Sequence, residues 1–210
     1  MATITVSRHF GAGGATLGSI LAKRLGYRYV DDELIKEVAK KAGVAPSQVR
    51  TFEKAGTSKL LKLLDWVVSP EFIERHVSDT GQLTEQRYVE EIKEVLYKLH
   101  REGNVVIMGR GGNYALRGYH GTMHVLLVAD EEHRVRFLCE KHHITKSEAE
   151  RAVKRSDLIR TRFLNCFSPE GNHDDPLLYT ITLNMNDVTL ERAEDILVSL
   201  ARDMEAISCG

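Results

Sequence analysis

The chain has 210 residues, 42% of them hydrophobic, which supports one substantial core rather than two independent domains. Its 29 Lys and Arg nearly balance 30 Asp and Glu, leaving a net charge of −1 that excludes a general attraction to nucleic acid or anionic membrane, so any anion site has to be local. Three unpatterned cysteines argue against a disulfide framework, and no apolar run approaches the ~18 residues of a membrane span.

The opening residues carry no basic and apolar leader pattern, so the expected location is the cytoplasm. Thr3-Ile4-Thr5-Val6 is β-branched and runs into a glycine cluster, after which Leu17, Ile20, Leu21 and Leu25 recur at helical spacing. A strand, a Gly-rich loop and a helix are therefore predicted. Tyr27–Val30 forms a second short strand that delivers Asp31 and Asp32 to its C-terminal end, with a helix following over about 33–42. Residues 43–83 lack a sheet signal and contain helical pieces around Pro46–Ala55 and Ser58–Val68, which predicts an inserted helical subdomain.

Thr84 can cap a helix whose Val89, Ile92, Leu96 and Leu99 share one face, and Gly103 stops it before a strand at Val105–Met108. Val125–Val128 and Tyr179–Leu183 read as the fourth and fifth strands, the last followed by a helix carrying Leu190, Ala193, Leu197 and Leu200. Between them, Thr145-Lys146-Ser147-Glu148 has the form of a capping box. The helix it opens sets Ala152, Ser156, Ile159 and Phe163 on one side and Arg151, Arg155 and Arg162 on another. Strands alternating with helices predict an α/β domain with a five-stranded, mainly parallel sheet between helical layers. The core comprises residues 1–42 and 84–210, the insertion 43–83.

The turn Arg8-His9-Phe10-Gly11-Ala12-Gly13-Gly14-Ala15-Thr16 joins the first strand to the first helix. Its glycines let successive backbone N–H groups converge at the positive end of a helix, a geometry suited to phosphate. Gly11, Ala12, Gly13, Gly14, Ala15 and Thr16 are accordingly the candidate phosphate-binding residues. In the common phosphate-loop pattern the last Gly is followed by Lys and then by Ser or Thr. Here Gly13 holds the last Gly position, Gly14 replaces the Lys, and Ala15 replaces the magnesium-binding hydroxyl. Backbone amides supply only partial charges, so phosphoryl transfer needs a substitute cation. Arg8 is the nearest candidate, and Thr16 either contacts magnesium or simply begins the helix. Asp31 and Asp32 either position the acceptor or a magnesium-bound water, or cap the following helix. Cys139, His142 and His143 lack the second ligand pair of a zinc site.

Ser7 through Gly14, then Leu25-Gly26-Tyr27 and Asp31 through Ile35, resemble the opening of the cytidylate kinase-like family, whose loop also lacks the usual lysine. The similarity continues in Val105 through Tyr114, around Asp157, and in Leu178-Tyr179 through Leu183-Asn184, leaving only 43–83 poorly covered. The resemblance implies a three-layer P-loop kinase fold with ATP and Mg2+ on the loop, 43–83 as an acceptor-binding insertion, and an arginine-bearing lid over 144–175. Arg110 resembles the arginine that meets the acceptor. Arg155 and Arg162, with Arg151 and Arg160 in the same stretch, resemble lid arginines that stabilise the transferring group.

The implied activity is phosphoryl transfer from ATP to a nucleoside monophosphate such as CMP. Two alternatives stay open: a non-catalytic nucleotide-binding module on the same fold, and a kinase for a non-nucleotide metabolite. The expected partner is a small-molecule nucleotide, with no nucleic acid and no membrane, and homo-oligomerisation is left open.

Overall fold

The computed structural model describes residues 2–31, 85–169 and 171–208. Thr84, Asp32, the helix over 33–42 and the insertion over 43–83 lie outside them. In chain order the elements are β1 (Thr3–Arg8), α1 (Gly14–Leu25), β2 (Arg28–Val30), α2 (Glu85–Glu102), β3 (Val105–Met108), α3 (Gly112–Ala115), β4 (Thr122–Val128), α4 (Glu131–His142), α5 (Lys146–Asn165), a 3-10 turn (Pro176–Leu178), β5 (Ile181–Asn184) and α6 (Leu190–Ser208).

The strands form one sheet in the order β2-β3-β1-β4-β5, and every described pairing is parallel. Parallel neighbours need covered faces, and the side-chain alternation of β3 supplies them. Val106 and Met108 enter one core with Leu17 and Leu21 of α1 and Leu197 of α6. Val105 and Ile107 enter a second with Ile92, Leu96 and Leu99 of α2. The result is three layers, helix on sheet on helix. Each fully buried Leu or Ile contributes about 1.5–3 kcal/mol, and Leu17, Leu21, Ile92 and Ile107 are all below 2% exposed.

Local signals fix the ends of several elements. Gly103, at φ 69°, closes α2 by donating to the Leu99 carbonyl at 3.0 Å, as its place before a strand predicts. The predicted capping box opens α5: Glu148 N donates to Thr145 Oγ1 at 3.3 Å, while the Glu148 carboxylate accepts from Thr145 N at 2.9 Å. The fifth strand starts two residues later than predicted, because the Tyr179 hydroxyl donates to the His173 carbonyl at 2.6 Å and holds that residue in the preceding turn. The fourth strand is longer at its start, beginning at Thr122. No helix among the described residues is long and apolar enough to cross a membrane.

Candidate phosphate-binding and transfer site

The strand order sets the geometry of the site. β2, β3 and β1 are neighbours and end together, so Asp31, Gly109-Arg110-Gly111 and Arg8 line up along the C-terminal edge of the sheet. In open α/β sheets this edge is the ligand crevice.

The loop after β1 depends on its glycines. Gly11 lies at φ 89°, and a Cβ there would stand 2.9 Å from both Cβ and the carbonyl oxygen of Arg134 on α4. Gly13, at φ 78°, is the N-cap of α1 and contributes no side-chain acceptor, so the first-turn amides are open to an external anion.

Gly14 decides where the positive charge comes from. A Cβ at this position would lie 2.1 Å from Cδ of Arg8, and a Cβ at Gly109 would lie 3.3 Å from Arg8 Nη1. The arginine stem therefore crosses the space from which a loop lysine would depart, and its guanidinium reaches the end of β3. Gly14 is the residue that admits it.

Two cavities meet at Arg8. One is formed by Arg8, Asp31, Arg110, Ser156 and Arg160 against apolar walls that include Met108 and Phe163. The other lies over the loop, from Gly11 to Thr16, with α4 residues Phe137 and Lys141 opposite. Burial pulls the Arg8 pKa down to about 10; Asp31 opposes that fall, while Arg110 and Arg160 add to it. The guanidinium stays charged at neutral pH.

Arg110 is buried at 8% exposure, and its Nη2 has no hydrogen-bond partner among the described residues. Its φ of 58° is left-handed and so are those of Gly109 and Gly111, a run of three that turns the side chain into the cavity mouth. Gly111 has to be glycine, because a Cβ there would meet the Phe167 ring at 2.4 Å. The buried Ser156 Oγ, in the same cavity, also lacks a partner among the described residues. A buried guanidinium nitrogen and a buried hydroxyl left open in one cavity suit an anionic ligand with several acceptor oxygens.

Arg160 reaches this cavity from α5 and pairs with Asp174 at 2.8 Å, whose other oxygen lies 3.0 Å from His9 Nε2 on the phosphate loop. The segment around Asp174 is fixed by its neighbours. Tyr114 Oη lies 2.7 Å from His173 Nδ1, and His173 Nε2 lies 2.8 Å from Asn165 Oδ1. Burial, aided by Arg160, lowers the His173 pKa and favours the neutral imidazole, which can accept from Tyr114 while donating to Asn165. Burial works to raise the Asp174 pKa, but the hydrogen bond from His9 and the Arg160 guanidinium bring it down to about 2.

A carboxylate with a depressed folded-state pKa contributes stability above its unfolded value and loses it as pH falls through the folded one. The wild-type melting temperature is therefore expected to fall between pH about 4 and about 2 more steeply than that of Asp174→Asn, whose stability is lower at neutral pH but flatter in acid. Melts followed by circular dichroism across that range check it.

Of the residues singled out from sequence, Arg8, Arg110, Asp31 and the 11–16 loop come together. Arg155 and Arg162 are exposed and line neither cavity, and Asp32 is outside the described residues. Arg160, from the same stretch, is the lid-region arginine that lines the cavity. The Thr16 hydroxyl accepts a hydrogen bond from the Lys141 ammonium. Sequence reasoning missed Lys141, Ser156 as an open hydroxyl, and the His9–Asp174–Arg160 connection. It also missed Arg134, which grips Asp157 at 2.8 and 3.0 Å beneath the loop.

The sequence matches the model of the cytidylate kinase-like family over residues 3–187. The chain belongs to that family. The match includes the phosphate loop, the Arg110 turn and the Asp174 segment described above, and also spans 43–83, where the residues themselves offered no recognisable pattern. No curated protein matches the chain.

Among solved structures the family member is similar to an uncharacterized protein from Eubacterium ventriosum ATCC 27560, at 18% identity and TM-score 0.67 over 96% of this chain and 99% of that one. It is also similar to shikimate kinase from Bacteroides thetaiotaomicron, at 15% identity and TM-score 0.52 over 96% and 98%. Gluconokinase from Sinorhizobium meliloti 1021 follows, at 16% identity and TM-score 0.51 over 99% and 95%. Likeness at these identities establishes the three-layer P-loop kinase fold.

Proposed function

We propose that the protein transfers the γ-phosphoryl group of ATP to a small anionic acceptor, a nucleoside monophosphate such as CMP. The observation that carries this reading is the course of Arg8 over Gly14. It puts a permanent positive charge at the junction of a phosphate-loop cavity and a second, arginine-lined cavity, which is where a phosphoryl group passing between donor and acceptor would lie.

Each residue then has a task that fits its surroundings. The open amides of Gly13 to Thr16 would hold the donor phosphates. Arg110, with its Nη2 unpartnered among the described residues, would grip the acceptor's phosphate, for which the planar guanidinium fork is suited. Arg8 and Arg160 would face the charge that spreads over the equatorial oxygens of the transferring group, a reaction in which positioning and electrostatics dominate. Arg160 takes the place that the sequence assigned to Arg155 and Arg162. The chemistry supplied by bound magnesium would be neutralisation of charge on the donor phosphates. Asp31, buried at 8% exposure and lining the same cavity as Arg8, would hold the ion or its water.

A second reading, nucleotide binding without turnover, is favoured by Gly14 and Ala15 at the lysine and hydroxyl positions and by the engaged Thr16. ADP formation from ATP and Mg2+ across the nucleoside monophosphates separates the two. Shikimate and gluconate, the acceptors named for two of the structural neighbours, serve as the non-nucleotide arm. Turnover is expected with one of the pyrimidine monophosphates. ATP binding with no turnover for any acceptor would sink the kinase reading and support the second.

A further inference from the structure

The loop-side cavity holds a cation that the phosphate-loop pattern does not include. Lys141 stands in the last turn of α4 and is exposed, with solvent available to it. Its ammonium instead crosses to α1, donates to Thr16 Oγ1, and lies 5.2 Å from the centre of the Phe137 ring. The aromatic face holds the charge over the opening of the loop.

The electrostatics of this cavity are one-sided. Arg8, Lys141, His9 and His142 line it together with the loop glycines, and no carboxylate is among its described lining residues. The first turn of α1 has no acidic residue either. Arg8, which Asp31 faces from the neighbouring cavity, and Lys141 thus bring two side-chain cations to a helix end in a cavity whose described lining holds no carboxylate, an arrangement that favours a polyanion. Burial, helped by Lys141 and His143, lowers the pKa of His142, in keeping with the same surplus.

We infer that Lys141 supplies, from α4, the ammonium that the loop lacks, and that it binds the donor's phosphate chain on the Thr16 side while Arg8 holds the opposite end. The lysine function of the loop is thus divided between two residues, neither of them at position 14. Lys141 is a donor-binding residue, so its loss should appear in donor affinity and donor KM, with kcat and acceptor KM close to wild type. The inference rests on the proposed kinase reading for the identity of the donor.

The test is calorimetric titration of the full chain with ATP, inorganic tripolyphosphate and adenosine, using wild type, Lys141→Met and Lys141→Arg. Lys141→Met keeps the stem and removes the charge. Loss of one charged hydrogen bond is expected to raise its dissociation constants for ATP and tripolyphosphate by about ten- to a hundredfold. Adenosine binding should be unchanged, and Lys141→Arg should recover most of the phosphate affinity. Unchanged melting curves, expected for an exposed side chain, exclude misfolding as the cause.

Wild-type tripolyphosphate affinity in Lys141→Met would overturn the inference and leave the kinase reading intact. Equal weakening of adenosine and ATP would overturn it as well, because the contact would then not be to phosphate. A wild-type protein that binds neither ATP nor tripolyphosphate would remove the donor site altogether, and both readings with it.

Discussion

Introducing a lysine by Gly14→Lys is expected to lower turnover rather than raise it. The new Cβ would fall 2.1 Å from Arg8 Cδ and 3.1 Å from its Cβ, so the arginine has to leave the junction of the two cavities before a lysine can occupy it. The displaced guanidinium would also share a partly buried site with a second cation, where burial and two neighbouring arginines already depress the Arg8 pKa. Arg8→Ala alone is expected to reduce kcat by about 10²–10³, the range for removing one pre-placed donor to developing charge.

The decisive measurement is the double variant. With the arginine truncated, the introduced lysine finds the space it needs, and Arg8→Ala/Gly14→Lys is expected to exceed both single variants in kcat. Effects of this size at two touching positions should be strongly non-additive, and steady-state kinetics of all four proteins gives the coupling directly. If Gly14→Lys in the presence of Arg8 is more active than wild type, the two cations cooperate and the exclusion argument fails.

The departure at Gly14 was legible in the sequence, but its reason was not. A strand, a glycine cluster and a helical apolar period placed the loop correctly, and comparison with the phosphate-loop pattern exposed the missing lysine. That Arg8 fills the vacated space depends on the path of one side chain from the end of β1, which no periodicity encodes.

Which α5 arginine lines the cavity is recoverable from the periodicity of the helix. Residues advance about 100° each around a helix, and judging the buried face from Ala152, Ser156, Ile159 and Phe163 puts Arg155 and Arg160 at similar distances from its centre. Ala149, Val153 and Leu164 are buried too, and including them swings the centre toward Arg160 and away from Arg155 and Arg162. Lys141 carried no such signal. Buried positions in α4 are few, and its partner Thr16 is 125 residues distant. The His9–Asp174 contact spans 165 residues and was equally out of reach.

Arg110→Met is expected to raise the acceptor KM by about a hundredfold while leaving donor affinity near wild type. That factor corresponds to the upper range for one charged hydrogen bond, ~3 kcal/mol. The same substitution is expected to leave the unliganded protein as stable as wild type or slightly more so. A buried guanidinium whose Nη2 has no partner among the described residues is a burden on the empty fold, and methionine fills similar space without the charge. Arg110 also sits at φ 58°, where a side chain costs ~1–2 kcal/mol relative to glycine, so Arg110→Gly should relieve both terms and lose acceptor binding equally.

Thermal melts with and without the acceptor then distinguish function from structure. A ligand bound to the folded state raises stability by RT ln(1 + [L]/Kd), and this increment should be clear in wild type and much smaller in both variants. A fall in the melting temperature of unliganded Arg110→Met, of the size seen when a core residue is deleted, would make Arg110 a structural tie between loops. Unchanged or higher stability together with a reduced ligand increment is what a binding residue at a strained φ, with a guanidinium nitrogen left open among the described residues, must give.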